Sequence, residues 1–173
     1  PALKLAARVG IHKVIAVAHR FGVTTNIPAY LPIALGAVEI TLEEQVASYS
    51  VFPNDGIRVK PRLIRKVSNA DGITLWEDPP AVDEVISQQT ARTMMTFLRA
   101  VMAPPGTGGQ AVQLNHPLGG KTGTTSDYTD AWFLGFSPSI TCGVWVGFDS
   151  RQSLGEEETG AKAALPIWMT VMR

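Results

Sequence analysis

Residues 119–136 read GGKTGTTSDYTDAWFLGF, and the predicted sheet is built around them. It joins two strand-like runs, 117–124 and 129–137, through a short polar separator. A third run, 140–149, follows after Ser137-Pro138-Ser139. Separators this short are typical of antiparallel hairpins. The stretch therefore predicts three consecutive antiparallel strands.

Helical patterns lie on both sides of the predicted sheet. Upstream, the sequence predicts two short helices within 2–22, a loop over 23–36, and a helix opened by the capping box Thr41-Leu-Glu-Glu44. It then predicts a hairpin around Asp71-Gly72, a helix capped by Ser87, and a last helix over 160–173 with a kink at Pro166. This element order predicts an α+β fold, an antiparallel sheet flanked by helices.

The composition excludes several function classes. The 173 residues carry 15 basic and 15 acidic side chains, and this zero net charge argues against a nucleic-acid-binding surface. The length is that of one domain, and no apolar stretch approaches the roughly 20 residues of a membrane span. The three histidines lie far apart without ligand-like neighbours. A zinc site needs three or four converging ligands. We therefore expect neither a metal nor another cofactor.

The chemistry concentrates in Lys121-Thr122-Gly123-Thr124. Side chains alternate along a strand, so Thr122 and Thr124 share one face, and hydroxyls two residues apart can hold both oxygens of a carboxylate. Lys121 supplies positive potential beside them. Gly123 leaves room for a ligand backbone to lie against the strand. Lys-Thr-Gly is short enough to occur by chance, so the residues around it must show whether it marks a functional site.

The flanking motifs extend the pattern over the whole chain. They are Gly106-Thr107-Gly108, Gly120-Lys-Thr-Gly-Thr-Thr125, Asp130-Ala-Trp132-Phe133, Gly143-Val-Trp145-Val-Gly147, Thr159-Gly160 and Ala164-Leu-Pro166-Ile-Trp168. With Lys-Thr-Gly, which is one of the motifs of penicillin-binding proteins and class A β-lactamases, the sequence resembles the transpeptidase domain of class A (bifunctional) penicillin-binding proteins.

The resemblance implies serine acyl transfer that cross-links peptidoglycan stem peptides ending in D-Ala-D-Ala, and trapping by β-lactams. It implies that Thr122 and Thr124 bind the substrate carboxylate, that Lys121 supports the proton relay, and that the N–H of Thr124 donates to the oxyanion. Gly123, Thr125 and Tyr128 complete the expected substrate-binding set. The family works on the periplasmic side of the inner membrane, anchored through an N-terminal segment.

Two motifs of this chemistry are absent from the sequence. None of the nine serines has a lysine three residues later, and there is no Ser-x-Asn. We expect residues 1–173 to be the C-terminal part of the domain, without the nucleophile helix and the first two strands of a five-stranded sheet. The three strands would then present an open edge and an uncovered apolar face. Alone, the chain is expected to be inactive, with the missing N-terminal part of the domain as its partner.

Two alternatives are also consistent with the sequence. The first is a non-catalytic interaction module that binds other chains through its open sheet edge. The second is a β-lactamase fragment, since that fold shares Lys-Thr-Gly. The Asp-x-Trp-Phe and Gly-Val-Trp-Val strands and the Pro-Ile-Trp helix fit the transpeptidases better.

Overall fold

The computed structural model of the chain describes residues 1–173 without a gap. Its α-helices are α1 (Ala2–Val9), α2 (Ile11–Arg20), α3 (Leu42–Ser50), α4 (Gln88–Met102) and α5 (Leu165–Val171). Its strands are β1 (Ile57–Val59), β2 (Lys66–Ser68), β3 (Thr74–Glu77), β4 (Val82–Glu84), β5 (Gly119–Thr124), β6 (Asp130–Phe136) and β7 (Thr141–Gly147). The α+β fold is as predicted.

The three C-terminal strands form the main sheet in the order β5-β6-β7, with both neighbouring pairs antiparallel. The register places Thr122 opposite Phe133 and Thr124 opposite Ala131. Across the next pair, Trp132 lies opposite Trp145. The outer edges of β5 and β7 pair with no other strand. The prediction of two consecutive hairpins is confirmed, and the site strand β5 lies at an edge.

The main core covers one face of this sheet. Trp168 of α5 is fully buried and packs on Phe133 with ring centroids 4.9 Å apart, while its Nε1 donates to the carbonyl of Cys142 at 3.1 Å. The core also contains Met102 from α4 and Leu165 from α5. A buried indole needs such a hydrogen-bond partner, because an unpaired buried donor is costly. This packing holds β5 and β6 in place from beneath.

Helix α3 packs on the opposite face. A Cβ at Gly143 would lie 2.7 Å from a methyl carbon of Leu134 and 3.0 Å from one of Leu42, so the glycine lets the helix approach the sheet closely. The helix begins at the predicted capping box, in which Thr41 Oγ1 accepts from the N–H of Glu44 at 3.1 Å. The apolar side of α3 thus covers part of this face, next to β6 and β7.

The Glu44 carboxylate also joins α3 to the preceding loop. It accepts hydrogen bonds of 2.7 to 3.0 Å from the backbone N–H and hydroxyl groups of Thr24 and Thr25. These bonds, led by the Thr24 hydroxyl, hold the pKa of Glu44 far below its ordinary value. This one carboxylate thereby fixes the path of the chain between α2 and α3.

Most predicted elements are confirmed, with four differences. Gly10 separates α1 from α2, Ser87 caps α4, and the Asp71-Gly72 hairpin forms with Gly72 at φ +81°. The predicted loop 23–36 contains a 3₁₀-helix, Leu31–Leu35, and a second one spans Gly109–Leu114. The pair β1 and β4 was not predicted, because three-residue strands carry little periodicity. The last helix begins with a π-helical turn, Gly160–Ala164, before Pro166.

Candidate active site

Lys121 begins on the sheet face opposite to Thr122, but its ammonium curls around the free edge of β5. Nζ donates to the carbonyl of Thr122 at 2.7 Å and lies 3.4 Å from Thr122 Oγ1. The three ion pairs of the structure do not include it, so its charge has no carboxylate partner. Partial desolvation lowers the pKa of this ammonium, although much of the side chain reaches solvent. An unpaired cation at a strand edge is suited to bind an anion.

The hydroxyl of Thr122 meets a second hydroxyl from another part of the chain. Its Oγ1 lies 2.9 Å from Oγ1 of Thr107, in the glycine turn after α4. Gly108 in that turn donates its N–H to the carbonyl of Val101 at 2.9 Å. The turn at the end of α4 therefore places the Thr107 side chain against strand β5.

The hydroxyl of Thr124 is held by the segment before α5. The backbone N–H of Gly160 donates to Thr124 Oγ1 at 3.0 Å. Gly160 is buried, and a Cβ there would collide with the carbonyl oxygens of Trp132 and Gly123. Because Thr124 Oγ1 accepts this bond, its own proton is left to donate to a ligand.

The backbone of β5 supplies further donors along the free edge. The N–H of Thr125 donates to the carbonyl of Asp130 at 3.2 Å, which directs it into the sheet. Hydrogen-bonding directions alternate along an antiparallel strand, so the N–H of Thr124 faces the free edge. The Thr122 carbonyl that Lys121 contacts faces the same edge. A peptide lying along this edge would meet both donors and acceptors.

Gly123 is packed closely from the α3 face of the sheet. A Cβ at this position would lie 3.0 Å from Cβ of Trp132 on the neighbouring strand. Close packing against Trp132 therefore favours glycine at this position, in addition to the predicted approach of a ligand. Its substrate-binding role stays a prediction.

Thr125 and Tyr128 lie in the turn between β5 and β6. Thr125 Oγ1 accepts from the N–H groups of Thr129 and Asp130 at 2.9 and 3.0 Å, so its side chain organises the turn. Tyr128 has a left-handed backbone, φ +53°, and its carbonyl accepts from Leu154 at 2.8 Å. The turn brings both residues to the end of β5, and their contact with substrate stays a prediction.

The tryptophans divide between core and surface. Trp168 belongs to the core, whereas Trp132 is half-buried and Trp145 is 39% exposed. Their rings lie 6.2 Å apart on the face that α3 covers only in part, and Trp145 Nε1 donates to Asp130 at 2.9 Å. An apolar surface therefore lies beside β5 on the same face as the stem of Lys121.

The donor set of the site favours an anion over a metal. The edge offers an ammonium, two hydroxyls and a backbone N–H, all of which can donate to a carboxylate. No group of three or more His, Cys, Asp or Glu side chains in the chain is placed to hold a metal ion. None of the helices combines the length and the apolar character needed to cross a membrane.

Comparison with known proteins identifies the family. A family profile described as "Penicillin binding protein transpeptidase domain" matches residues 4–173. The chain belongs to the penicillin-binding protein transpeptidase family. Penicillin-binding protein 1A of Aquifex aeolicus is 42% identical over 172 residues, which are 99% of this chain and 23% of the relative. Penicillin-binding protein 1A of Rickettsia bellii is 29% identical over 98% of this chain and 24% of its own length.

Solved structures agree with this assignment. Penicillin-binding protein 1A from Haemophilus influenzae superposes with a TM-score of 0.91 at 28% identity, over 99% of this chain and 32% of that chain. The D,D-transpeptidase domain of a peptidoglycan glycosyltransferase from Eggerthella lenta shares the fold with a TM-score of 0.77 at 22% identity, over 98% of this chain and 49% of that chain. The resemblance to class A penicillin-binding proteins is thus confirmed. The chain spans about a quarter of the curated relatives' length.

The structure brings Lys121, Thr122 and Thr124 together at one strand edge and places Thr125 and Tyr128 at its end. Sequence patterns alone give no role to Gly160, and they fit Thr107 equally well as a residue bordering the cleft and as a plain turn residue, although both lie in recognised motifs. The available signal was glycine, which close packing of backbone often needs: Thr107 lies between Gly106 and Gly108, and Gly160 is itself a glycine. Which strand they contact depends on the tertiary structure.

Proposed function

We propose that the chain is the C-terminal part of a serine-type D,D-transpeptidase domain and supplies its substrate-binding edge. The observation that carries this proposal is the row of donors along β5: the Lys121 ammonium, the hydroxyls of Thr122 and Thr124, and the N–H of Thr124. The sheet holds these groups before any ligand arrives. Preorganised donors are the main means by which acyl-transfer enzymes stabilise developing charge.

The two threonine hydroxyls bind the terminal carboxylate of a D-Ala-D-Ala stem peptide or the carboxylate of a β-lactam. Thr124 accepts from Gly160 and keeps its proton for the ligand, while Lys121 lies 3.4 Å from the oxygen of Thr122. Hydrogen bonds to a charged group are stronger than neutral ones. The carboxylate therefore fixes the position of the peptide along β5.

The backbone of β5 aligns the bond that reacts. The N–H of Thr124 faces the free edge and donates to the oxyanion of the tetrahedral intermediate, a contribution of about 3–4 kcal/mol in other acyl-transfer enzymes. Gly123 has no side chain and lets the substrate backbone approach. Thr125 shapes the turn at the end of the edge, and Tyr128 lines the groove there.

The nucleophile is supplied by the missing N-terminal part of the domain. A serine of that part attacks the penultimate D-Ala carbonyl, its proton passes to the departing amine, and D-Ala leaves. The amine of a second stem then attacks the acyl-enzyme, which forms the cross-link and releases the serine. Lys121 supports the proton relay through its charge. The sequence of residues 1–173 has no Ser-x-x-Lys, so the chain alone does not acylate.

The binding partners and the cellular location follow from the same proposal. The partners are peptidoglycan stem peptides, β-lactams and the N-terminal part of the domain. The reaction takes place on the periplasmic side of the inner membrane, to which the full protein is anchored by a segment outside this chain. The names of the relatives, penicillin-binding protein 1A, support the binding of β-lactams.

Covalent labelling with a fluorescent penicillin tests the proposal. We expect no label on residues 1–173 alone, and label on a serine of the N-terminal part when both parts are combined. Thr122→Val and Thr124→Val should each reduce labelling of the combined protein, whereas Thr170→Val should not, because Thr170 only bonds its own helix at 3.0 Å. Label on the isolated chain, or equal labelling of all variants, would refute it.

A binding module without catalysis is the second candidate, and the free edge of β7 favours it. That edge pairs with no strand, and Trp145 beside it is 39% exposed. Unpaired edges are sites for addition of a strand from another chain. Gel filtration with light scattering distinguishes the two, because a module should form stoichiometric complexes with other chains, whereas a transpeptidase part should bind its own N-terminal part.

A further inference from the structure

Thr107 is the one polar side chain from outside the Lys-Thr-Gly strand that contacts a Lys-Thr-Gly hydroxyl. Its Oγ1 lies 2.9 Å from Thr122 Oγ1, and this is its only side-chain hydrogen bond. The same oxygen of Thr122 lies 3.4 Å from the Lys121 ammonium. Two groups, the Thr107 hydroxyl and the Lys121 ammonium, therefore converge on the hydroxyl that the proposed function assigns to the substrate carboxylate.

The number of protons on these groups determines which group donates in each hydrogen bond. An ammonium only donates, so Lys121 occupies one lone pair of Thr122 Oγ1. If Thr107 donates into the other lone pair, the single proton of Thr122 is free and points to the free edge of β5. If Thr122 donated to Thr107 instead, its oxygen would offer a carboxylate no proton. An anion at the edge selects the first arrangement.

We propose that Thr107 is a positioning residue for carboxylate recognition: its hydroxyl donates to Thr122 and directs the Thr122 proton toward the ligand. The inference rests on the proposed function, because it deepens the role of the same site. Thr107 need not touch the substrate itself. It acts by excluding the competing arrangement, in which the Thr122 hydroxyl donates to Thr107.

The backbone around Thr107 is built to hold this position. A Cβ at Gly108 would lie 2.8 Å from the buried Met102 sulfur, and one at Gly106 would lie 2.7 Å from the carbonyl of Ala103. The N–H of Gly106 donates to that same carbonyl at 2.6 Å. The turn is thus anchored to the end of α4 and the core, while the Thr107 side chain stays exposed at the strand. Its position does not depend on the bond to Thr122.

The test compares penicillin G with its methyl ester, whose carboxylate is blocked, in the full transpeptidase that contains this chain. Acylation rate constants are measured for the wild type, Thr107→Val and Thr107→Ser. We expect Thr107→Val to slow acylation by the acid roughly 5- to 10-fold, the value of one hydrogen bond, and to leave the ester almost unchanged. Thr107→Ser should restore the wild-type preference for the acid.

Thr96→Val is the matched control, because Thr96 lies on α4 and bonds only a carbonyl of its own helix, at 2.7 Å. A purely structural Thr107 would slow acid and ester equally, with a lower melting temperature, and would overturn the inference. So would an unchanged acid-to-ester ratio in Thr107→Val. If the wild type itself reacts equally with acid and ester, the proposed function fails, and that result is distinct from a failure confined to Thr107.

Discussion

The backbone N–H of Gly160 donates a hydrogen bond of 3.0 Å to Oγ1 of Thr124, joining the segment before α5 to the Lys-Thr-Gly strand across 36 residues of sequence. It makes the C-terminal helix part of the site as well as part of the core. The hydroxyl proton of Thr124 is available to a ligand because its oxygen already accepts from Gly160.

Substitution of Gly160 by alanine should therefore disturb both packing and binding. The new methyl group would collide with the carbonyls of Trp132 and Gly123, and overpacking of this kind costs about 1–3 kcal/mol. We expect lower stability and slower acylation by penicillin in the full transpeptidase. Gly109→Ala is the control, since its nearest neighbour would be 3.4 Å away. A stable Gly160→Ala with normal acylation would contradict the role of this bond.

Lys121 should affect the rate through its charge. Lys121→Gln removes the ammonium while keeping a polar side chain, and we expect acylation to fall on the order of 100-fold, as for other residues of a proton relay. Lys60→Gln serves as a control for the loss of one exposed positive charge. Acylation at the wild-type rate in Lys121→Gln would exclude Lys121 from the relay.

The lowered pKa of Lys121 predicts a particular pH dependence. Desolvation disfavours the charged form, so the ammonium loses its proton at a lower pH than an ordinary lysine, whose pKa is about 10.4. If the charge binds the carboxylate, acylation should decline with rising pH before that value is reached. Lys121→Arg, whose side chain keeps its charge, should remove this alkaline decline even if the rate is lower. The same decline in Lys121→Arg would assign it to another group.

Glu44 predicts a loss of stability in acid. Its pKa is lowered in the folded protein by hydrogen bonds from Thr24 and Thr25, so its contribution is fully present above the unfolded pKa of about 4.3 and is lost progressively as pH falls from there toward the much lower folded pKa. Glu44→Gln should reduce the free energy of unfolding at pH 7, and the difference from the wild type should be smaller at pH 3. Urea denaturation at both pH values measures this. Glu43→Gln, in the same helical turn but without a side-chain hydrogen bond, should show no such pH-dependent difference.

Trp168 should be the most sensitive position of the core. It is fully buried on Phe133, and its replacement by alanine should destabilise the protein by about 3–5 kcal/mol, the usual cost for a buried aromatic residue. The neighbouring Ile167→Ala should cost much less, because that side chain is 49% exposed. Denaturant midpoints compare the two. Equal losses would mean that α5 does not anchor the sheet as described.

Local sequence patterns were enough to predict most elements and the family resemblance. Alternation and short separators predicted the three strands, the Thr41–Glu44 capping box predicted the start of α3, and the extended set of motifs around Lys121 identified the transpeptidase resemblance. These features are local or repeat along the chain, so they do not require knowledge of distant contacts. The sequence did not predict β1 and β4, because strands of three residues show no clear alternation and are recognised only by their pairing with each other.

The completion of the site depends on contacts between distant parts of the chain. Strand alternation placed Lys121 opposite to Thr122, yet the flexible stem of the lysine carries its ammonium around the free edge to within 3.4 Å of the Thr122 hydroxyl. Thr107 and Gly160, 15 and 36 residues from the threonines that they contact, complete the hydrogen-bond pattern. Neither partnership has a sequence period, because each arises from packing of α4 and α5 against the sheet. A strand's sequence specifies its own donors, whereas the direction of each hydroxyl proton depends on the groups that the rest of the chain places beside it.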